Sequence, residues 1–398
     1  MKLIQTVRRY FAIVPVICAL SSYGASERII EIDRDADGFL KPIPVSISGF
    51  AGEVESVLKF DLFFMGFRNV SPDQARFLIT GSNAGRVEGR VVQKLTKTQV
   101  LAKAYTGSTM RSQAHAFADD IATTLTHLPG IAQSKVSFKV ETGRGVSEIY
   151  IADFDAHNAQ SVTRDGALVS APCWGGQTKL LYSSYKLGKP TIFSHELTSG
   201  TRNAVVRSPG STMSPAVSPD GQKVAYISDE SGSPNLFVCD IGGGNIRHLS
   251  HNRDAESSPC WSPDGKTICF VSRERGPAGL YTIPASGGKR THLETTGVGN
   301  ATEPAWSPDN RWIAFTSQRT GGFDICLVRA QGGIVTAIAA GEDPSWAPNS
   351  RAVIFCKGPD HQKVLSLLDV PTKEFKDIAR ILESNSQPSW APIGSPGK

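Results

Sequence analysis

The segment DRDADG, which begins at Asp33, spaces its carboxylates as the first half of a calcium-binding loop does. Asp33, Asp35 and Asp37 would occupy loop positions one, three and five. Gly38 would fall at position six, but position twelve, which must be a bidentate glutamate, is Pro44. The flanking segments also have the pattern of strands, whereas a calcium loop of this kind joins two helices. The sequence therefore predicts a polar turn here and no metal site.

Motifs of hydrolytic enzymes are incomplete in this chain. The segment SHELT at 194–198 has the histidine and glutamate of a zinc-protease helix, but it lacks the second histidine and lies in a strand-like region. The Gly-x-Ser-x-Gly pattern of serine hydrolases does not occur. We therefore expect no catalytic residues, no cofactor and no enzymatic activity.

Arg111, His115 and Asp119 recur every four residues within STMRSQAHAFADDIATTLTHLPG, the clearest helical pattern in the chain. This spacing places the three side chains on one face of the helix. They could form a solvated face with weak ion pairs, or they could contact another domain, which is the interpretation we favour. Catalysis is disfavoured because no nucleophile lies nearby in the sequence.

A repeated sequence pattern occupies the chain after this helix. Its pattern is Pro-x-Trp-Ser-Pro-Asp-Gly followed by alternating apolar residues, as in PCWSPDGKTICFVS at 259–272. The Pro-Asp-Gly step is typical of a tight turn, and the β-branched and aromatic residues after it predict a strand. Successive anchoring prolines lie 40 to 45 residues apart, which is the period of a four-stranded propeller blade. The anchors are Pro172, Pro215, Pro259, Pro304, Pro344 and Pro388.

The ends of the repeat array predict how it closes. Residues 135–163 have the pattern of a blade without its anchoring strand, and QPSWAPIG near the C-terminus is an anchoring strand with no blade after it. Pairing the strand at about 387–392 with this first blade closes a ring of six and removes an exposed sheet edge. An open β-solenoid or two sandwiches would not explain this offset.

The first 25 residues have the features of a secretory signal peptide. Lys2, Arg8 and Arg9 precede an apolar run, which is followed by small residues. The run is too short for a transmembrane anchor, and Ile17 disfavours a lipoprotein signal at Cys18. Removing the segment lowers the basic residues from 42 to 39 against 37 acidic ones, a net charge near +2. Such a charge does not indicate a nucleic-acid-binding protein.

Six cysteines remain in the exported chain, where disulfides are possible. Cys260 and Cys269 are predicted to face each other across a hairpin, so they could form one. The equivalent positions in another repeat are Ala216 and Ala225, which indicates that these sites select a small apolar residue. We therefore favour free cysteines over a disulfide, although the alternative stays open.

Residues 26–131 carry no repeat and predict a small α/β domain. KPIPVSIS, ARFLITG, GRVEGRVVQKL and QVLAKAY have the pattern of strands, whereas GFAGEVESVLKFDLFFMGF has that of a helix. The helix with Arg111 follows them and leads into the repeats. The chain is thus expected to be mostly β, with a C-terminal six-bladed β-propeller at 135–398 preceded by this α/β domain.

Several of these segments resemble the TolB family, the periplasmic propeller proteins of the Tol–Pal system. The spacing Arg-x-x-x-His-x-x-x-Asp from Arg111 to Asp119, the segment FDLFFMGF and the truncated last repeat are similar to that family. The similarity covers essentially the whole exported chain. Phe60 departs from the family pattern, because a small polar residue is usual at that position.

This resemblance implies a periplasmic scaffold that binds the peptidoglycan-associated lipoprotein Pal through its propeller. It also implies that the mature N-terminal segment contacts TolA, and that the protein supports outer-membrane integrity and constriction at cell division. A monomer is expected. By position, the segment that would contact TolA consists of Glu27, Arg28, Ile29, Ile30, Glu31 and Ile32.

The loops that lead into each innermost strand differ most between repeats, so we expect them to form the partner-binding surface. Each candidate could also be a simple solvated residue. A small-ligand-binding or enzymatic propeller, such as a lactonase or quinoprotein, is the alternative function, but the innermost strands show no carboxylate cluster of the kind that such enzymes use. The candidates for partner binding are His251, Asn252, Arg253, Asp254, Asn300, Glu303 and Asp343.

Overall fold

The computed structural model describes residues 33–251, 253–378, 381 and 384–393. Two layers of helix and sheet come first, and six four-stranded sheets follow. The predicted fold class, a six-bladed propeller preceded by a small α/β domain, is confirmed. Among the described residues, no helix is long and apolar enough to cross a lipid bilayer.

The α/β domain is built on a five-stranded sheet with the strand order β2-β1-β3-β4-β5. β1 is parallel to both of its neighbours, whereas β3, β4 and β5 are antiparallel. Phe117 of helix α2 lies directly on Gly89 of β4, where an added Cβ would be only 2.2 Å from the ring. The elements are β1 (Ile43–Ser48), α1 (Glu53–Phe64), β2 (Phe67–Asn69), β3 (Phe77–Ser82), β4 (Glu88–Gln93), β5 (Gln99–Ala104) and α2 (Met110–Thr126).

Helix α2 has a capping box at its N-terminus and a left-handed residue at its C-terminus. The Thr109 side chain accepts a hydrogen bond from the backbone N–H of Ser112, and the Ser112 hydroxyl accepts one in return from the N–H of Thr109. This capping box satisfies two N–H groups that the first helical turn leaves unpaired. His127 ends the helix in the left-handed conformation. The apolar side of α2 is buried, including Ile121 and Leu125.

Each blade is a sheet of four antiparallel strands. A short parallel pair, β21 (Thr295–Thr296) and β25 (Gly333–Ile334), supplements blades 4 and 5. The strands of each blade are given from the innermost outward. Blades 1 to 3 consist of β31 (Ser384–Trp390), β6 (Lys135–Gly143), β7 (Val146–Asp153) and β8 (Gln160–Ser161); of β9 (Val169–Trp174), β10 (Lys179–Ser184), β11 (Thr191–Glu196) and β12 (Arg202–Ala204); and of β13 (Thr212–Val217), β14 (Lys223–Ser228), β15 (Asn235–Asp240) and β16 (Arg247–His248). Blades 4 to 6 consist of β17 (Glu256–Trp261), β18 (Thr267–Ser272), β19 (Gly279–Pro284) and β20 (Thr291–His292); of β22 (Ala301–Trp306), β23 (Trp312–Arg319), β24 (Gly322–Arg329) and β26 (Thr336–Ala340); and of β27 (Glu342–Trp346), β28 (Ala352–Lys357), β29 (Val364–Asp369) and β30 (Glu374–Asp377).

A β-bulge explains the anchoring proline of each repeat. In every blade, the pairing of the innermost strand with its neighbour shifts register at the proline. A bulge leaves one residue out of the ladder, so a proline, which has no N–H to donate, fits there without losing a hydrogen bond. The residue before each proline has a φ between 49° and 57°; these residues are Ala171, Ser214, Ser258, Glu303, Asp343 and Gln387.

The repeated tryptophans join neighbouring blades. The indole N–H of Trp261 donates to the carbonyl of Ala216 at 2.8 Å, and that of Trp346 donates to the carbonyl of Ala305 at 3.1 Å. An equivalent contact is made where the ring closes. The C-terminal strand β31 pairs with β6 of blade 1, and the indole N–H of Trp174 in blade 2 donates to the carbonyl of Ser389 in β31 at 3.0 Å. The C-terminal strand is therefore bound to the first blade and to the second.

All six cysteines in the described part of the chain are free thiols. Cys260 lies directly opposite Cys269, as the hairpin predicts. Burial raises the pKa of Cys173 to about 11 and that of Cys326 to about 11. Thiols that hold their protons in this way are poor nucleophiles at neutral pH.

Candidate partner-binding face and domain junction

The propeller has two ends with different surroundings. We call the end where the innermost strands begin the entry face; in blade 4 it is formed by the loop 249–255. We call the opposite end, where the first and second strands of each blade are joined, the hairpin face; in blade 4 its turn is 262–266. A six-residue strand separates the two ends by about 20 Å.

A cavity of about 220 Å³ lies on the propeller axis and is lined by the anchoring prolines of all six blades and the residue before each. Glu303 and Asp343 are adjacent members of this ring. Sequence reasoning placed both in loops and expected no carboxylate cluster on the innermost strands, and this was wrong. Both lie within strands, β22 and β27, because the bulge before each proline turns the preceding residue towards the axis.

The two carboxyl groups hold the backbone of the next blade. Glu303 accepts hydrogen bonds from the Thr316 hydroxyl at 2.6 Å and from the backbone N–H of Asp343 at 3.1 Å. Asp343 in turn accepts one from the backbone N–H of Gln387 at 3.0 Å. Burial, and then the charge of Asp343, raise the pKa of Glu303 to about 8. Burial also raises the pKa of Asp343. Both changes favour protonation, so the pair binds a proton more readily than two exposed carboxyl groups would.

The other predicted loop residues differ in exposure. His251 and Arg253 are exposed on the entry face, whereas Asp254 is half-buried. The Asn300 side chain accepts from the backbone N–H of Ala278 at 3.1 Å and donates to Gln318 at 2.8 Å, so it holds its own loop. Asn252 lies outside the described residues. Of the predicted candidates that the structure describes, His251 and Arg253 are thus the ones whose side chains are available to a partner.

The predicted N-terminal segment, Glu27 to Ile32, and the predicted signal peptide lie outside the described residues. The described chain begins with the turn that resembles half a calcium loop. Asp35 accepts hydrogen bonds from the N–H groups of Asp37 at 3.0 Å and Phe39 at 2.9 Å, so its carboxylate stabilises the turn.

This turn contacts the hairpin face of blade 5. Phe39 stacks on Trp312 with ring centroids 5.8 Å apart, and Asp37 pairs with Arg329 at 3.1 Å. The Arg311 guanidinium donates to the carbonyl of Asp37 at 3.2 Å. The described turn and the α/β domain are therefore attached to the hairpin face, and within residues 33–131 we find no contact with the entry face.

Arg111 and His115 of α2 lie in the junction between the α/β domain and the propeller. The His115 Nδ1 atom is 2.7 Å from Oδ2 of Asp61 in α1, and its Nε2 atom is 3.6 Å from Oδ2 of Asp155, which follows β7. Arg111 donates to the same Asp155 oxygen and, at 3.0 Å, to Glu53. His115, Asp61 and Asp155 are all buried.

Asp119, the third residue of the stripe, holds the linker into the propeller. It accepts hydrogen bonds from the backbone N–H groups of Ala132 at 2.7 Å and Gln133 at 3.2 Å. Burial raises the pKa of Asp119 despite these bonds. Gly130 passes so close that an added Cβ would lie 2.2 Å from an Asp119 oxygen. The sequence showed the helical stripe of Arg111, His115 and Asp119 and, separately, the segment FDLFFMGF that contains Asp61, but it did not indicate that Asp61 and Asp155 are the partners of this stripe.

Asp61, His115 and Asp155 are the one group of three potential metal ligands that lie close together in the described part of the chain. The imidazole, however, offers opposite nitrogens to the two carboxylates, and Arg111 contacts Asp155. The Arg111 guanidinium already neutralises the Asp155 carboxylate and would repel a second cation there. We therefore interpret the arrangement as a chain of ion pairs.

Comparison with known proteins identifies the family. A model of the TolB beta propeller domain matches residues 123–394, which include the last turn of α2 and all six blades. The chain belongs to the TolB β-propeller family. Its solved relatives share the architecture: the crystal structure of TolB from Acinetobacter baumannii superposes with a TM-score of 0.77 over 89% of this chain and 97% of that one, at 19% identity. At that identity the likeness shows the fold alone.

Two curated relatives are both named Tol-Pal system protein TolB. The protein from Desulfosudis oleivorans is 33% identical over 153 residues, which are 36% of this chain and 34% of that protein. The protein from Nitrosomonas europaea is 25% identical over 239 residues, which are 52% of this chain and 56% of that protein. The chain thus spans between a third and just over half of the length of these TolB relatives.

Proposed function

We propose that this protein is a periplasmic, non-enzymatic scaffold of the Tol–Pal envelope system. It binds Pal through the entry face of the propeller and TolA through the segment from Glu27 to Ile32. In this role it supports outer-membrane integrity and constriction at cell division. The observation that carries the proposal is the family match, which extends over the whole propeller. The relatives' shared name supports the Tol–Pal assignment.

The geometry of the propeller supports the entry face as the Pal site. The hairpin face is contacted by the α/β domain through Phe39 and Arg311, so a large partner has less room there. The entry face is free of such contacts among the described residues and presents His251 and Arg253. Arginine is among the residue types that most often provide the few contacts that dominate binding to a protein partner.

Calorimetric titration tests this assignment. The protein from Ser26 onward is titrated with the soluble domain of Pal from the same organism, and we expect saturable binding at micromolar concentration or tighter. His251→Ala and Arg253→Ala should each weaken binding about 5- to 30-fold, which corresponds to about 1–2 kcal/mol. Lys266→Ala is the matched control, because this exposed residue lies at the other end of the same blade. The affinity of this variant for Pal should be unchanged.

The outcomes separate the parts of the proposal. Binding that is lost in Lys266→Ala but not in the loop variants would place Pal on the hairpin face. No binding at all would contradict the Pal assignment and leave the fold intact.

A second titration tests whether the N-terminal segment and the entry face are coupled. Removal of residues 26–33 should abolish binding to the soluble domain of TolA, because the alternating sequence of this segment favours pairing of its backbone with a partner sheet edge. The same deletion should change the affinity for Pal if the two ends of the molecule communicate. An unchanged affinity for Pal would contradict the coupling, and retained binding to TolA would contradict the assignment of the segment.

A further inference from the structure

A buried group of charges joins the α/β domain to the propeller. Asp61 comes from α1, Arg111 and His115 come from α2, and Asp155 comes from blade 1. The side chains of Asp61, His115 and Asp155 are each at most 6% exposed, and that of Arg111 is 14% exposed. Two carboxylates face one guanidinium at this junction. With both carboxylates ionised, the buried group is therefore electrically neutral when His115 also carries a positive charge.

The imidazole of His115 is placed to take that charge. It lies between two carboxylates, with Nδ1 2.7 Å from Asp61 and Nε2 3.6 Å from Asp155. Nε2 of His115 and Oδ1 of Asp61 have no hydrogen-bond partner, although both are buried. A buried polar atom without a partner costs free energy, and an unbalanced buried charge costs more. A proton on Nε2 gives this atom a charge that Asp155 stabilises.

The direction of proton binding agrees with this geometry. Burial by itself would lower the pKa of His115, but Asp61 and then Asp155 outweigh it, so the pKa is raised above its usual value. Burial also raises the pKa of Asp61 to about 6, although His115 opposes this change. Both changes mean that the assembled junction binds protons more tightly than its separated parts.

We propose that His115 is a proton-dependent latch between the two domains: the α/β domain holds the propeller firmly while His115 is protonated and loosens when His115 loses its proton. The stabilisation from a raised histidine pKa is fully present below about pH 6.5 and is lost as the pH rises through the raised value. The contact between the α/β domain and the propeller is therefore more stable in acid and less stable in mild alkali, whichever partner binds the propeller.

Charged groups from every element at the junction act on His115. Asp61 faces it from α1, and Asp155 faces it from the propeller. On its own helix, Arg111 lowers the pKa of His115 from one turn away. Three further charged or titratable residues act on members of this group. Glu53 pairs with Arg111, and the charge of Asp119 acts on Asp61. The Nδ1 atom of His157 lies 3.6 Å from Oδ1 of Asp155.

The first test is an NMR titration of the histidine rings in the purified protein. The pKa of His115 should lie above 6.5. In Asp61→Asn, which keeps the shape but removes the negative charge, it should fall by about 1–3 pH units, as expected for loss of an opposite charge at hydrogen-bond distance. A His115 pKa at or below 6.5 in the unchanged protein would overturn the proposal.

The second test measures opening of the junction by hydrogen exchange. The reporters are the backbone N–H groups of Ala132 and Gln133, which donate to Asp119 in the linker. Their protection, corrected for the intrinsic rate, should fall as the pH rises from 6.5 to 9, by up to about tenfold for each pH unit by which the junction raises the pKa of His115. In His115→Gln, protection should be low and independent of pH.

Two further variants make this test specific to His115. His127→Asn changes an exposed histidine at the end of α2, where asparagine tolerates the left-handed backbone, and should keep the full pH dependence. His157→Gln should keep it as well. If pH dependence persists in His115→Gln or disappears in His157→Gln, then His115 is not the latch. Should His115→Gln fail to fold, the exchange experiment is repeated with Asp61→Asn, where the dependence above pH 6.5 should be weaker.

Discussion

Arg351→Met is expected to lower the free energy of unfolding by about 3–5 kcal/mol, because it leaves a carboxylate buried without its counter-charge. Arg351 immediately precedes β28, the second strand of blade 6, and pairs with Asp369 through two nitrogens, at 2.5 and 3.0 Å. Its third nitrogen donates at 2.6 Å to the carbonyl of Leu40 in the α/β domain. Both Arg351 and Asp369 are buried, at 5% and 1% exposure, so water cannot replace the lost partner.

Chemical denaturation monitored by tryptophan fluorescence measures this loss. Arg68→Met is the matched control, because Arg68 also connects the α/β domain to blade 6 through an arginine–carboxylate pair, with Glu374. Those two side chains are about half exposed, so their pair should contribute no more than about 1 kcal/mol. Equal losses in the two variants would contradict the argument that burial decides the effect.

A double variant, Arg351→Met with Asp369→Leu, identifies the source of the loss. Replacement of a buried ion pair by apolar side chains is often close to neutral, so the double variant should regain most of the stability. The hydrogen bond to Leu40 and the two bonds that Thr372 donates to Asp369 stay lost, at about 0.5–1.5 kcal/mol each. A double variant as unstable as Arg351→Met would show that these hydrogen bonds, not the unpaired charge of Asp369, carry the stability.

The architecture could be predicted from sequence because its main signals are local and repeated. The turn at Asp264–Gly265, the alternating residues of β18 and the 40- to 45-residue spacing each indicate a propeller, and they recur around the chain. The offset between the first blade and the last anchoring strand even indicated which strands should pair. The three-residue β2 was missed, because a strand of this length has too few positions to show alternation.

The geometry of the channel could not be predicted in the same way. Glu303 and Asp343 were visible as residues before a proline, but their direction depends on a positive φ within a bulge. The sequence-based assumption of an ordinary strand places alternate side chains on opposite faces, and a bulge breaks that rule. Their use as acceptors for the backbone of the next blade was also hidden, because it depends on the angle between blades.

The domain junction could be predicted in part from the sequence. The helical spacing of Arg111, His115 and Asp119 placed them correctly on one face, since that requires only the helix period. The partners of this face are distant in the chain: Asp61 precedes His115 by 54 residues, and Asp155 follows Arg111 by 44. No periodicity links such positions, so the buried charges became apparent only when the helices were packed against the propeller.

Trp390→Ala should be about as destabilising as Arg351→Met, with a loss of about 3–5 kcal/mol, because it removes a large buried ring where the propeller closes. Trp390 is the last residue of β31 and is 6% exposed. Its indole N–H donates to the Ser134 hydroxyl at 2.8 Å, and its ring lies 6.0 Å from that of Phe154. Its backbone N–H donates to the Ser345 hydroxyl of blade 6 at 3.0 Å. One residue thus connects the closing strand, the linker and the neighbouring blade.

Two comparison variants separate the contributions of Trp390. Trp390→Phe keeps most of the apolar contact and loses the indole hydrogen bond, so it should cost about 1–2 kcal/mol in denaturant titrations. Trp346→Ala removes the equivalent tryptophan from blade 6, where the chain is continuous on both sides, and should cost a similar amount to Trp390→Ala.

The two alanine variants should nevertheless differ in where the molecule opens. β31 is joined to blade 1 by its pairing with β6 and by side-chain contacts, without a hairpin between the two strands, so loss of Trp390 weakens a contact that no covalent connection within the blade supports. Hydrogen exchange should therefore accelerate at the N–H groups shared by β31 and β6 in Trp390→Ala, well before global unfolding. In Trp346→Ala the same N–H groups should keep their protection relative to the rest of the protein. If both variants open at this seam equally, then the closing strand is held by the ring as a whole, and Trp390 has no special role in closure.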